Sequence, residues 1–235
     1  MPTLKNFVAV DWRSGPDRIY FFFKDTGTYT RFDIGDNKVP EGYPATVNGN
    51  WGSFDKHVKD LRFGFTTTNI DPWGGNAPVA GHDILWLFYY EGDTPMVCRY
   101  DQNLDEVNKT LRVKDSVWQL ILPYFDRIVA GTWWQVFGRP KLFKFLMDDG
   151  HYLFVDLLAK QKVFRKQITQ ESWRGLDNYK HRIITAAQND HPLFDKYYYI
   201  FLTNNEYIKY DITNNRVATG PRKIDDGSWP GLLRD

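Results

Sequence analysis

The chain has 235 residues, and its 30 basic and 29 acidic side chains leave a formal net charge of +1. That balance argues against a protein built to bind nucleic acid or an anionic membrane, which select a basic excess. The load of 17 Phe, 14 Tyr and 9 Trp argues against disorder, and one cysteine excludes both an intramolecular disulfide framework and a cysteine-rich zinc site.

The N-terminal segment meets Asp11 before a secretory hydrophobic region develops, and no run approaches the ~18–20 apolar residues of a membrane span. We therefore expect a cytoplasmic chain without a membrane span, released from the cell, if at all, by a non-classical route. The first unit opens with an apolar run at 6–10. Two aromatic, strand-like runs follow at 19–23 and 28–32, joined by Lys24-Asp25-Thr26-Gly27 and closed by Asp33. Val39 reads as an outer strand, and Trp51 precedes a short helix over 53–58. The second unit repeats this with runs at 62–67, 84–89 and 95–100, the turn Glu91-Gly92-Asp93, then Asp101, Val113 and Trp118. The third has runs at 127–132, 142–147 and 152–155, the turn Asp148-Asp149-Gly150, then Asp156, Val163 and Trp173. The fourth has runs at 182–187, 197–201 and 207–210, the turn Thr203-Asn204-Asn205, then Asp211, Val217 and Trp229. Aromatic and β-branched runs around Gly, Asp and Asn turns are hairpin signals.

The four aspartates are spaced by 68, 55 and 55 residues, and the four tryptophans by 67, 55 and 56. Two independent markers thus share one period and one long first interval. Small residues recur in the first strand of each unit, at Ala9, Thr66, Gly131 and Ala186, as suits a backbone that other chains approach closely. Four units of four strands, with no long helix, indicate an all-β four-bladed propeller. One blade cannot bury both faces alone, so a single domain is expected, with blades over approximately 6–60, 61–124, 125–179 and 180–235. Most aromatics are then interblade core.

Catalytic signatures are missing. The histidines, His57, His82, His151, His181 and His191, form no His-Glu-x-x-His pair, and no nucleophile elbow, phosphate loop or dinucleotide fingerprint occurs. A non-enzyme is expected. Cys98 lies in an apolar-rich run and reads as a buried, inert thiol. The longest connection, 68–82, joins the first and second strands of blade two, and long propeller loops often carry recognition. Trp73, flanked by Asp71 and Asn76, either stacks on a sugar or partner there or tucks onto its own blade. Trp133 and Trp134 hold the matching turn of blade three, and Trp12 that of blade one; alternation sends one of the paired indoles inward and one outward. Trp12, Asp71, Trp73, Asn76 and Trp133 are the candidate ligand-binding residues.

The pattern resembles the hemopexin-like repeat, through Tyr20-Phe21-Phe22-Phe23-Lys24, Arg31-Phe32-Asp33, Gly42-Tyr43-Pro44 and Trp229-Pro230-Gly231-Leu232. The resemblance spans residues 6–235. It implies a four-bladed propeller and, in its free-standing members such as legume seed albumins and bacterial photopexins, a binding or storage role without catalysis. Secreted animal members clasp the first blade to the last with a disulfide. This chain has no cysteine at either place, so packing must close its ring. The resemblance also implies an ion in the central channel, calcium or sodium with chloride, held by main-chain carbonyls that map to Val8, Phe65, Ala130 and Thr185. The acidic residues common in the family at these positions are absent, which lowers the field in the channel.

Three functions follow as expectations. The first is a non-catalytic binding protein whose ligand is a small molecule or glycan. The second is a storage or defence protein acting as a homodimer. The third is a haem or metal carrier, for which His82 and His191 are the suggestive pair.

Overall fold

The structure is a computed structural model, which describes residue 4 and residues 6–68, 82–134, 141–157, 162–189 and 196–234. Four antiparallel sheets follow one another along the chain. The first holds β1 (Phe7–Trp12), β2 (Arg18–Phe23), β3 (Thr28–Asp33) and β4 (Ala45–Thr46). The second holds β5 (Leu61–Thr68), β6 (Asp83–Glu91), β7 (Thr94–Asp101) and β8 (Glu106–Arg112). The third holds β9 (Ile128–Trp133), β10 (Leu142–Met147), β11 (His151–Asp156) and β12 (Lys162–Gln167). The fourth holds β13 (Ile183–Gln188), β14 (Tyr197–Leu202), β15 (Glu206–Asp211) and β16 (Arg216–Lys223). Spatial order equals sequence order in every sheet. The first strands close a circuit, β1 on β5, β5 on β9, β9 on β13 and β13 on β1. The architecture is a four-bladed β-propeller.

Each hairpin between second and third strands turns through left-handed backbone, at Gly27, Gly92, Gly150 and the pair Asn204-Asn205. These residue types adopt that conformation at low cost, which is why the turns are legible in the sequence. Both faces of the second strands are buried, because each blade is sandwiched between two others. On β2, Tyr20 and Phe22 join one core cluster and Ile19 and Phe21 another.

The four repeat tryptophans are wedges between blades. Trp51 lies 4.6 Å from Phe22 and 5.3 Å from Tyr100, measured between ring centroids. Trp118 lies 4.9 Å from Phe143, Trp173 5.1 Å from Tyr210, and Trp229 4.6 Å from Phe32. Among the described residues none of the four indole N–H groups has a hydrogen-bond partner, so these side chains act through ring packing. The seam between last and first blades uses the same device. Trp229 touches Phe21 of blade one and Phe201 of blade four, Val39 N–H donates to Pro230 O at 3.0 Å, and Ala9 N–H donates to Thr185 Oγ1 at 3.1 Å.

Two expectations about strands are corrected. Val39 and Val113 do not mark outer strands. Blade one's outer strand is the pair Ala45–Thr46, Val39 is buried at the seam, and Val113 is buried just past the end of β8. Outer strands face solvent, so the buried valines nearby are not part of them. The register of β5 also differs. A bulge at Arg62 matches the bulges at Val129 and Ile184, and the pairing Gly64↔Leu87 corresponds to Ala9↔Phe21, Gly131↔Phe145 and Ala186↔Ile200. The small position of blade two is therefore Gly64, not Thr66. Space demands it: a Cβ on Gly64 would lie 2.8 Å from Val10 Cγ1, and one on Gly131 2.5 Å from Phe65 Cδ1.

Candidate functional site at the channel mouth

Four equivalent positions lie at or near the ends of the first strands: Asp11, Thr66, Trp133 and Gln188. They gather an unusual density of buried polar groups. Asp11 accepts the Thr66 N–H on Oδ1 at 3.0 Å, and the Thr66 hydroxyl donates to the Asp11 carbonyl at 2.7 Å, which clips blade one to blade two. Gln102, on the turn after β7, donates to Thr66 Oγ1 at 2.8 Å and accepts from the N–H groups of Arg13 and Ser14 at 2.8 and 3.1 Å. The Thr132 hydroxyl donates to Gln188 Oε1, joining blades three and four.

Arg13 is the centre of this arrangement. Its Nε lies 3.3 Å from Asp11 Oδ2, with both side chains almost fully buried. Its guanidinium sits 5.1 Å from the Trp133 ring centroid. Arg13 belongs to blade one and Trp133 to blade three, so the contact spans opposite blades. A buried ion pair is held only when further groups satisfy its charges, and here an amide N–H and an indole face do so.

The predicted residues are distributed unevenly around this point. Trp133 is half-buried and lies in it. Trp134 turns the other way, into the core between blades three and four, 5.4 Å from Trp173. Trp12 is 6% exposed; it packs 5.1 Å from Tyr20 and 6.0 Å from Trp51, and its Nε1 donates to Ser14 O at 2.9 Å. Its rings are used in packing between blades one and two. Asp71, Trp73 and Asn76 lie outside the described residues, as does His191.

Of the mapped channel carbonyls, Val8, Ala130 and Thr185 share one ladder position, opposite Phe22, Leu146 and Phe201. The blade-two member of that ring is Phe63, opposite Phe88, and not Phe65. The error is the same two-residue slip that displaced Thr66. The corrected ring carries no acidic side chain, and Asp11 is already committed to Arg13 and Thr66. Among the described residues no cluster of three His, Cys, Asp or Glu could hold a metal.

Other reactive groups are accounted for. Cys98 is 1% exposed, and burial pushes its thiol up to about 12. His82 Nδ1 meets Asp101 Oδ2 at 2.7 Å, and among the described residues no hydroxyl or thiol hydrogen-bonds that histidine. A cleft of about 520 Å³ where blade four meets blade one is lined by Asn37, Tyr207, Arg222, Lys223, Asp225 and Ser228, none of them a predicted site residue. No helix of the described residues is long and apolar enough to cross a membrane. Sequence reasoning missed Arg13, Gln102 and Thr66 as site residues, since each is an ordinary polar residue whose partners are distant in the chain. No family model and no curated protein matches this sequence.

Proposed function

We propose that this chain is a non-catalytic binding protein of the hemopexin-like kind that takes a carbohydrate at the mouth of its central channel. One observation carries this reading: Arg13 and Trp133 meet there from opposite blades, beside the Gln102 side-chain amide that accepts the Arg13 N–H. An aromatic face bordered by planar hydrogen-bonding groups is the chemistry that binds an alternately apolar and hydroxylated ligand. The ordered repeat of hairpin, aspartate and wedge tryptophan supports the hemopexin-like assignment, as does the role of Trp229-Pro230-Gly231-Leu232 in the closing seam. The sealed Cys98 thiol supports a protein without covalent catalysis at that residue.

The same reading assigns a calcium or sodium ion to the carbonyls of Val8, Phe63, Ala130 and Thr185. Affinity rises with ligand charge, so a ring of neutral carbonyls binds weakly. Elemental analysis after dialysis tests the ion, and a metal-free chain removes it without touching the sugar site.

Glycan-array screening followed by calorimetry tests the function. A bound glycan should lose about tenfold or more in affinity with Trp133→Ala, as expected for an aromatic anchor. No glycan bound, or a bound glycan indifferent to Trp133→Ala, removes the reading.

A further inference from the structure

The cleft of about 520 Å³ at the closing seam is built from three segments. β15 and β16 supply Tyr207 and Arg222, which stand opposite each other in the ladder. The turn after β16 supplies Asp225, and the connection between β3 and β4 supplies Asn37 from blade one. The seam tryptophan holds the phenol in place: Trp229 lies 5.4 Å from Tyr207 and 4.6 Å from Phe32 of blade one, between ring centroids. Tyr207 is buried, whereas Asn37, Arg222 and Asp225 are exposed at the rim.

Several polar groups of the cleft are already committed. Lys223 Nζ lies 3.1 Å from Glu206 Oε1 and donates to Asn204 O at 3.1 Å. The Ser228 hydroxyl donates to Lys223 O at 2.7 Å. The N–H groups of Gly227 and Ser228 donate to Asp225 Oδ1 at 3.0 and 2.9 Å. Among the described residues, the Arg222 guanidinium, the Tyr207 hydroxyl, the Asn37 side-chain amide and Asp225 Oδ2 have no hydrogen-bond partner. Arg222 and Asp225 thus bring opposite charges to one cleft without forming an ion pair. Asp225 cannot swing to the guanidinium without breaking the two bonds that pin its other oxygen to the turn. Both charges act on the same phenol. Burial raises Tyr207, Arg222 lowers it, and Asp225 raises it.

We propose that this cleft binds a free α-amino acid. The planar fork of Arg222 suits the ligand's carboxylate, and Asp225 Oδ2 with the Tyr207 oxygen accepts from its ammonium. The Asn37 amide hydrogen-bonds the remaining polar atoms. A lone anion meets Arg222 but is repelled by Asp225, and a lone cation meets the reverse. The cleft therefore selects both charges on one small molecule. Such a ligand touches blade one through Asn37 and blade four through Arg222, so it bridges the seam of a ring that has no disulfide clasp. The site lies against the outer strand β16, whereas the channel mouth lies on the first strands. Its failure would leave the sugar reading standing.

Calorimetry on the full chain tests it, with the common L-amino acids as probes and propionate and ethylamine as singly charged controls. At least one amino acid should bind saturably, and both controls should bind about tenfold or more weakly than it does. Arg222→Gln and Asp225→Asn should each weaken binding by about tenfold or more, the loss expected for a charge-assisted hydrogen bond. Asp225→Asn keeps the oxygen that caps the turn, so it removes the charge and spares the backbone. If either variant does not fold, the preference of the unaltered chain for an amino acid over both controls decides alone. No amino acid bound, a control bound as tightly as the best amino acid, or binding that both variants leave unchanged overturns the proposal.

Discussion

Replacing Lys144 with Met should stabilise the protein, and by an amount that depends on pH. The amine is pushed from 10.5 in the unfolded chain to about 7 in the folded one. Folding therefore favours the neutral form, and the unfolded chain binds the extra proton between those two values. Stability rises with pH across that window, and the full penalty is present below pH 7. A shift of this size corresponds to about 5 kcal/mol, taking about 1.4 kcal/mol for each pH unit. The rings of Trp134, Tyr152 and Trp173, with centroids 3.3, 5.7 and 4.9 Å from Nζ, favour the ammonium by about 0.5–2 kcal/mol for each well-placed contact, which lessens both the shift and the penalty. A net gain of about 2 kcal/mol for Lys144→Met at pH 6 follows, in line with apolar replacement of other buried charges. Urea denaturation at pH 6 and at pH 9.5 measures it. The gain should shrink by more than half at the higher pH, where the native lysine is neutral. A variant less stable than the parent by the same amount at both values would refute the reasoning, because the ammonium would then be a favoured member of the cage.

Trp229→Ala should cost about 3–5 kcal/mol, the range for removing a fully packed large aromatic, and hydrogen exchange should accelerate first in β1 and β13, on either side of the seam. Trp229→Phe should cost much less, since among the described residues the indole N–H has no partner to lose. Gly131→Ala should cost about 1–3 kcal/mol by thermal or urea unfolding, because the new methyl group meets the Phe65 ring at 2.5 Å; an unchanged midpoint would show that β9 and β5 can separate freely. The Cys98 thiol should resist Ellman's reagent in the folded chain at pH 8 and react fully in denaturant.

Much of the fold was legible because the signals are local. Asp33, Asp101, Asp156 and Asp211 each end a third strand, and the turns at Gly27, Gly92, Gly150 and Asn204 demand left-handed backbone. The wedge tryptophans were found by period before their packing was known. The outer strands were harder. β8 and β12 are mostly exposed, so no buried periodicity marks them; Val163 does fall in β12, but Val113 lies just past β8. The register of β5 was lost because the bulge at Arg62 corresponds to those at Val129 and Ile184, whereas the shared Arg-x-x pattern matches Arg62 to Arg127. That slip carried Thr66 and Phe65 into places that belong to Gly64 and Phe63. The channel mouth was hardest, since Asp11, Arg13, Thr66 and Gln102 meet only after the ring closes. Lys144 was readable in principle, as the one charged residue in a column of Tyr20, Trp86 and Tyr199, but only once the blades were in register.

The most direct test of the proposed binding site is the NMR spectrum of the chain carrying ¹⁵N-labelled tryptophan, recorded as a glycan found by the array is titrated in. Nine indole signals are available. Binding at the channel mouth moves the Trp133 signal in proportion to saturation and leaves Trp51, Trp118, Trp173 and Trp229 where they were. A glycan that saturates the protein with the Trp133 signal unmoved would contradict a site at the channel mouth.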